Sequence, residues 1–134
     1  WSSLKIAMDV SNGMASLFVR DIFGDQPAYI YEQMDGSFPN HEPNPLVQKN
    51  VEALKTLVAR TKADIGIIFD GDADRVMFVD ENSRFISPDL MIAVLLITFR
   101  SPLCVILRKI CSKAEIRICP VLEFTVLCTA VYAA

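Results

Sequence analysis

The sequence predicts an α/β fold, a mixed sheet with helices packed on it. Three observations carry this. Apolar runs of strand length recur at Leu4–Val10, Ala28–Tyr31 and Ile65–Phe69, separated by stretches of helical periodicity. The clearest of those stretches, Leu46–Lys62, repeats Leu46, Val47, Val51, Leu54, Leu57 and Val58 at helical spacing. A strand–helix–strand order is the start of a parallel sheet, and the short runs Val76–Val79 and Arg84–Ile86, joined by Asp80-Glu81-Asn82-Ser83, add an antiparallel hairpin.

In chain order, Leu4–Val10 is the first strand, with Lys5 and Asp9 as its polar interruptions, and Ser11-Asn12-Gly13 is a turn signal. Ser16 is placed to cap a helix running to about Phe23, with Leu17, Val19, Ile22 and Phe23 on its apolar side and Gly24 ending it. Asp25-Gln26-Pro27 leads into the second strand. Asp35–Pro45 holds three prolines and a glycine and is read as a loop, the kind of segment in which α/β proteins place sites. It carries the single histidine, His41, which is either a solvated loop residue or part of such a site and is given no role. Asn44 is the expected N-cap of the 46–62 helix, whose Lys49, Glu52, Lys55 and Lys62 form a solvated face. Ser87-Pro88-Asp89 opens a last helix through about Thr98, with Pro88 in its first turn and Asp89 near the positive end of its dipole.

The chemistry concentrates at Phe69-Asp70-Gly71-Asp72-Ala73-Asp74-Arg75. Three carboxylates at alternate positions repel one another unless a cation neutralises them, and an all-oxygen donor set suits a hard ion such as Mg²⁺. Gly71 permits a tight turn. Arg75 does not fit as a ligand; its planar fork fits a phosphate. Competing readings are a solvated acidic turn, a calcium loop of the EF-hand type and a phosphatase of the haloacid-dehalogenase type. The EF-hand reading meets Arg75 where the loop needs Gly, and strand-like flanks where it needs helices. The phosphatase reading makes Asp70 a nucleophile and Asp72 an acid/base, and leaves Asp74 and Arg75 without a task.

The chain has 134 residues, 52% hydrophobic and 22% charged, a globular composition. A net charge of −3 with no basic patch gives no reason to expect nucleic acid. No signal pattern opens the chain, and Trp1 in place of Met suggests a start inside a longer protein. Leu90–Phe99, the longest apolar stretch near the tail, falls short of the roughly 20 residues that span a bilayer. A boundary is expected near residue 100. Residues 1–100 carry nine Lys/Arg against fourteen Asp/Glu, whereas 101–134 carry four against two, with all of Cys104, Cys111, Cys119 and Cys128. Those cysteines contain no C-x-x-C pair, which disfavours zinc, and are read as reduced thiols of a cytoplasmic protein. Leu103–Leu107 and Val121–Val126 are possible added strands.

The Asp70–Arg75 loop resembles the metal-binding loop of the α-D-phosphohexomutases, the phosphoglucomutase/phosphomannomutase family. Val10-Ser11-Asn12-Gly13-Met14-Ala15, Asp35-Gly36-Ser37-Phe38-Pro39-Asn40-His41-Glu42-Pro43-Asn44-Pro45 and Ala63-Asp64-Ile65-Gly66 resemble that family's second domain, in the right order, over about residues 4–98. The resemblance implies one domain of a multi-domain enzyme that moves phosphate between the 1- and 6-positions of a hexose through a phosphoserine. It implies Mg²⁺ held by Asp70, Asp72 and Asp74, with Arg75 contacting the phosphoserine region. It also implies that the 35–45 loop borders the active site. Ala73 stands where a glycine is often found. No Thr-Ala-Ser-His-Asn-Pro-like serine loop is present, nor are the sugar-reading loops of the later domains, so the phosphosugar and the other domains of the enzyme are the implied partners, and these 134 residues alone are expected to be inactive.

Overall fold

The computed structural model describes residues 3–98, and side chains through Leu95. The chain divides into two units, 1–86 and 87–134. The cysteine-containing tail, its two possible strands and the boundary expected near residue 100 lie outside the described residues.

The first unit is built on a five-stranded sheet: β1 Ile6–Asp9, β2 Ala28–Ile30, β3 Ile65–Phe69, β4 Val76–Asp80 and β5 Phe85–Ile86, in the spatial order β2-β1-β3-β4-β5. β1 is parallel to both β2 and β3; β4 is antiparallel to β3 and β5 to β4. This is the mixed sheet the sequence predicts.

Side-chain alternation sorts the strands onto two cores. Ala7, Ile68 and Val79 meet Val51, Leu54, Leu57 and Val58 of helix α2, Gln48–Thr61. Ile6, Met8, Val10, Ile67 and Phe69 face the opposite side, where Ala15 and Val19 cover them. Gly66 marks how closely α2 approaches: a Cβ there would lie 2.7 Å from Val58 Cγ2 and 3.1 Å from Leu54 Cγ.

Three local expectations are corrected. The helix from Ser16 to Phe23 is two short pieces, a 3₁₀ turn at Met14–Leu17 and helix α1 at Val19–Phe23. Phe18, at φ −137° and ψ −17°, breaks helical geometry between them. Ser16 caps no helix: its hydroxyl sits 2.6 Å from the Glu32 carbonyl oxygen and 2.8 Å from that of Gly13, its one proton shared between them, tying the turn to the segment after β2. Leu17 and Ile22 are exposed. Gly24, at φ +68°, does end α1. Finally, α2 begins after Val47 rather than Asn44, because the Asn44 side-chain oxygen accepts from the Leu46 amide and closes a local turn instead. Leu46 and Val47 are exposed.

In the second unit, helix α3 spans Pro88–Thr98, and the Ser87 hydroxyl oxygen accepts from the Leu90 amide at 3.3 Å, an N-cap with Pro88 at the first helical position. Among the described residues, no helix is long and apolar enough to cross a membrane.

Candidate metal centre

β1 and β3 are parallel neighbours whose continuations part. The chain leaves β1 toward β2 on one side and leaves β3 toward β4 on the other. The crevice at the carboxyl ends of two such strands is where open α/β sheets bind ligands. Three loops meet there: residues 10–14 after β1, 31–45 after β2, and 70–75 after β3.

The 70–75 loop is closed on itself. The Asp70 amide donates to the Arg75 carbonyl at 3.2 Å, and the Arg75 amide returns a bond to Asp70 Oδ1 at 3.2 Å. Arg75 Nε donates to Asp70 Oδ2 at 2.6 Å and lies 3.6 Å from Asp74 Oδ1. Asp70 is fully buried, whereas Asp72 and Asp74 are exposed. One carboxylate oxygen from each of Asp70, Asp72 and Asp74 lies within 4.8 Å of the others. Burial pushes the Asp70 carboxyl up, but the backbone and side-chain bonds from Arg75 outweigh it and hold the group below the usual carboxylate range. Asp74 is pushed the other way, by the hydrogen bond it shares with Asp70 and then by the charge of Asp72.

The donor set fits a hard divalent ion. Mg–O distances of about 2.0–2.1 Å place ligand oxygens roughly 3–4 Å apart, a modest contraction of the cluster seen here. An ionised carboxylate offers about four lone-pair sites. Arg75 takes one on each Asp70 oxygen, which leaves lone pairs for an ion.

The other two loops buttress this one through contacts the sequence did not reveal. Gly13 presses on it: the Met14 amide donates to the Gly71 carbonyl at 2.9 Å, and a Cβ on Gly13 would lie 2.7 Å from that oxygen and 2.9 Å from the Asp70 carbonyl oxygen. The Ser11 hydroxyl donates to the Phe69 carbonyl at 2.6 Å. Phe38 and Pro43 of the 31–45 loop sit against Gly71, 3.2 and 3.3 Å from where its Cβ would be. Asn40 Nδ2 donates to Asn12 Oδ1 at 2.7 Å, and the Asp35 amide to the Asn12 carbonyl at 2.9 Å. The 35–45 loop therefore does border the carboxylate cluster. His41 is not solvated: its side chain is 10% exposed and its Nε2 lies 3.1 Å from Oδ2 of the fully buried Asp9. The turn signal at Ser11-Asn12-Gly13 was legible, but its role as the brace of a loop nearly sixty residues on needs the β1–β3 register.

Comparison with known proteins now decides the family. The family model described as phosphoglucomutase/phosphomannomutase, alpha/beta/alpha domain II, matches residues 1–83. The chain belongs to this family. It is 37% identical over 89 residues to a phosphoglucomutase of Neisseria meningitidis, an alignment covering 64% of this chain and 19% of that protein. It is 33% identical over 97 residues to a phosphomannomutase of Methanocaldococcus jannaschii, covering 70% and 22%. The solved structure of a phosphoglucomutase/phosphomannomutase family protein from Burkholderia thailandensis superposes with a TM-score of 0.61 at 31% identity, covering 71% of this chain and 22% of that one. The chain thus spans about a fifth of the length of the curated relatives it matches.

Proposed function

We propose that this chain is the metal-binding domain of a phosphohexomutase, an enzyme that moves phosphate between the 1- and 6-positions of a hexose through a phosphoserine supplied by another domain. The observation that carries the reading is the cluster of Asp70, Asp72 and Asp74 oxygens within 4.8 Å of one another, at the carboxyl end of β3 in a chain of this family.

Asp70, Asp72 and Asp74 would hold Mg²⁺. When bound, the ion withdraws negative charge from the phosphoryl group in transfer. The chain's own residues do the rest of the work assigned here. Arg75 neutralises Asp70 through Nε and presents its guanidinium, about half exposed, to a phosphate beside the loop. Gly13, Phe38 and Pro43 keep the Gly71 backbone in place, so the carboxylates do not have to be ordered at the moment of binding.

The same geometry speaks against Asp70 as the nucleophile of a small phosphatase. Arg75 holds both Asp70 oxygens in one orientation, as suits a fixed ligand, and the phosphatase reading leaves Asp74 and Arg75 without a task in a chain that belongs to the phosphohexomutase family. Isolated, the chain carries the metal site without a phosphoserine loop and is inactive. Two measurements test this. Mg²⁺ titration calorimetry should give one saturable site that Asp72→Asn abolishes; binding unchanged in that variant would sink the metal reading. Incubation with glucose 1-phosphate or mannose 1-phosphate should give no turnover, and beryllium fluoride should trap no adduct. Turnover that is lost in Asp70→Asn would instead favour the phosphatase.

A further inference from the structure

We infer that His41 is a positioning residue carried as an imidazolium, a charged clamp that fixes the 35–45 loop against the carboxylate loop.

Both ring nitrogens face acceptors. Nδ1 lies 2.8 Å from the Glu42 carbonyl oxygen, and Nε2 lies 3.1 Å from Asp9 Oδ2. A neutral imidazole has one N–H and one lone pair, so it would turn a lone pair toward one of these oxygens; an imidazolium has two N–H groups and satisfies both. The carboxylate end is itself set as an acceptor, since Asp9 Oδ1 takes the Ser11 amide at 2.8 Å. Asp9 is fully buried, and a buried carboxylate needs a partner charge. Among the described residues, the titratable groups set against the ring are Asp9, from the end of β1, and Tyr31, whose ring meets it edge-on at 5.4 Å between centroids. The hydrogen bond to Asp9 raises the affinity of the ring for its second proton; burial opposes this, and the Glu42 carbonyl and the Asp9 charge support it.

What the clamp holds is defined. His41 lies between Phe38 and Pro43, the two side chains that sit against Gly71. Its other end, Asp9, accepts from the Ser11 amide, and the Ser11 hydroxyl donates to the Phe69 carbonyl, one residue before Asp70. Loss of the second proton leaves one ring nitrogen with no hydrogen to donate, so the ring keeps either its bond to Asp9, which spans 32 residues of sequence, or its local bond to the Glu42 carbonyl, but not both. The consequence for metal binding rests on the function proposed above; the charge state and the clamp do not.

The test is a pH titration of the metal-free, ¹⁵N-labelled 134-residue chain by NMR, following the His41 ring nitrogens and the Gly71 amide. Both ring nitrogens should be protonated at pH 7, so the midpoint should lie above that pH rather than at the ordinary histidine value of about 6.5. In Asp9→Asn the midpoint should fall by about one pH unit or more. The Gly71 amide should shift with the ring's midpoint in the wild type and stay flat over that range in His41→Gln. A ring with one unprotonated nitrogen at pH 7, or a Gly71 amide indifferent to the ring's titration, overturns the proposal, and the wild-type experiment decides it even if a variant fails to fold. Mg²⁺ titration of the same sample separates the two readings: absent binding with an intact clamp removes the metal site and leaves His41 in its role.

Discussion

Replacing Gly13 by Ala isolates how the turn after β1 braces the carboxylate loop. Gly13 has φ −100° and ψ −169°, a conformation alanine adopts without strain. On backbone grounds alone the change would therefore stabilise the fold by about 0.4–1 kcal/mol, through lost freedom in the unfolded chain. The surroundings reverse the sign. The new methyl would meet the Gly71 carbonyl oxygen at 2.7 Å, the Asp70 carbonyl oxygen at 2.9 Å and Gly71 Cα at 3.1 Å, all backbone and none able to swing away. Overpacking of this kind costs about 1–3 kcal/mol. Displacing the loop also weakens the Met14–Gly71 hydrogen bond, worth about 0.5–1.5 kcal/mol. The net is a loss of roughly 1–3 kcal/mol, a large share of the about 5–15 kcal/mol typical of a domain. Gly36→Ala is the control, because nothing lies within 4 Å of its added Cβ. Urea denaturation should show a lower midpoint for Gly13→Ala, an unchanged or higher one for Gly36→Ala, and weaker Mg²⁺ binding only in the first. A Gly13→Ala chain as stable as wild type would refute the bracing argument.

Other outcomes follow from the same loop and its neighbours. Ala73 sits at φ +63°, where an alanine costs about 1–2 kcal/mol, and its half-buried methyl returns part of that by packing on the second core; Ala73→Gly should stabilise the chain by about 0.5–1 kcal/mol in urea titrations. Asp74 is raised above its ordinary carboxyl value, so its charged form opposes folding at neutral pH; Asp74→Asn should raise the melting temperature without metal and lower it, relative to wild type, in saturating Mg²⁺. His41 is raised, so its share of stability is fully present below about pH 6.5 and disappears as pH climbs through its folded value. Stability curves from pH 6 to 9 should fall for wild type more than for His41→Gln.

How much of this was legible depends on the range of the interaction. β1, α2, β3 and the hairpin were readable because each satisfies its own period and ends in its own turn chemistry, and Gly24 and Ser87-Pro88 punctuate as local rules require. The carboxylate loop was readable because its six residues carry their own signal. The start of α2 was misread because Asn44 closes a local turn, and the other misreadings lie where a residue found a distant partner. Ser16 reaches across to Glu32 rather than capping a helix, so the expected helix splits at Phe18. Asp9 looked like a polar interruption in a strand; it is the buried partner of His41, a pairing created only when parallel strands bring the ends of β1 and β2 together. Gly13 looked like an ordinary turn glycine, and its need for a missing Cβ exists only because Gly71 arrives beside it.

The central claim is that Asp70, Asp72 and Asp74 share one divalent ion. Paramagnetic Mn²⁺ added at low occupancy to ¹⁵N-labelled chain reports the location directly, because amide signals broaden with proximity to the ion. The amides of Asp70 through Arg75, with those of Gly13 and Met14 beside them, should vanish first. Broadening that starts instead at scattered exposed acids such as Glu52 and Glu81, with the 70–75 amides unaffected, would contradict the account.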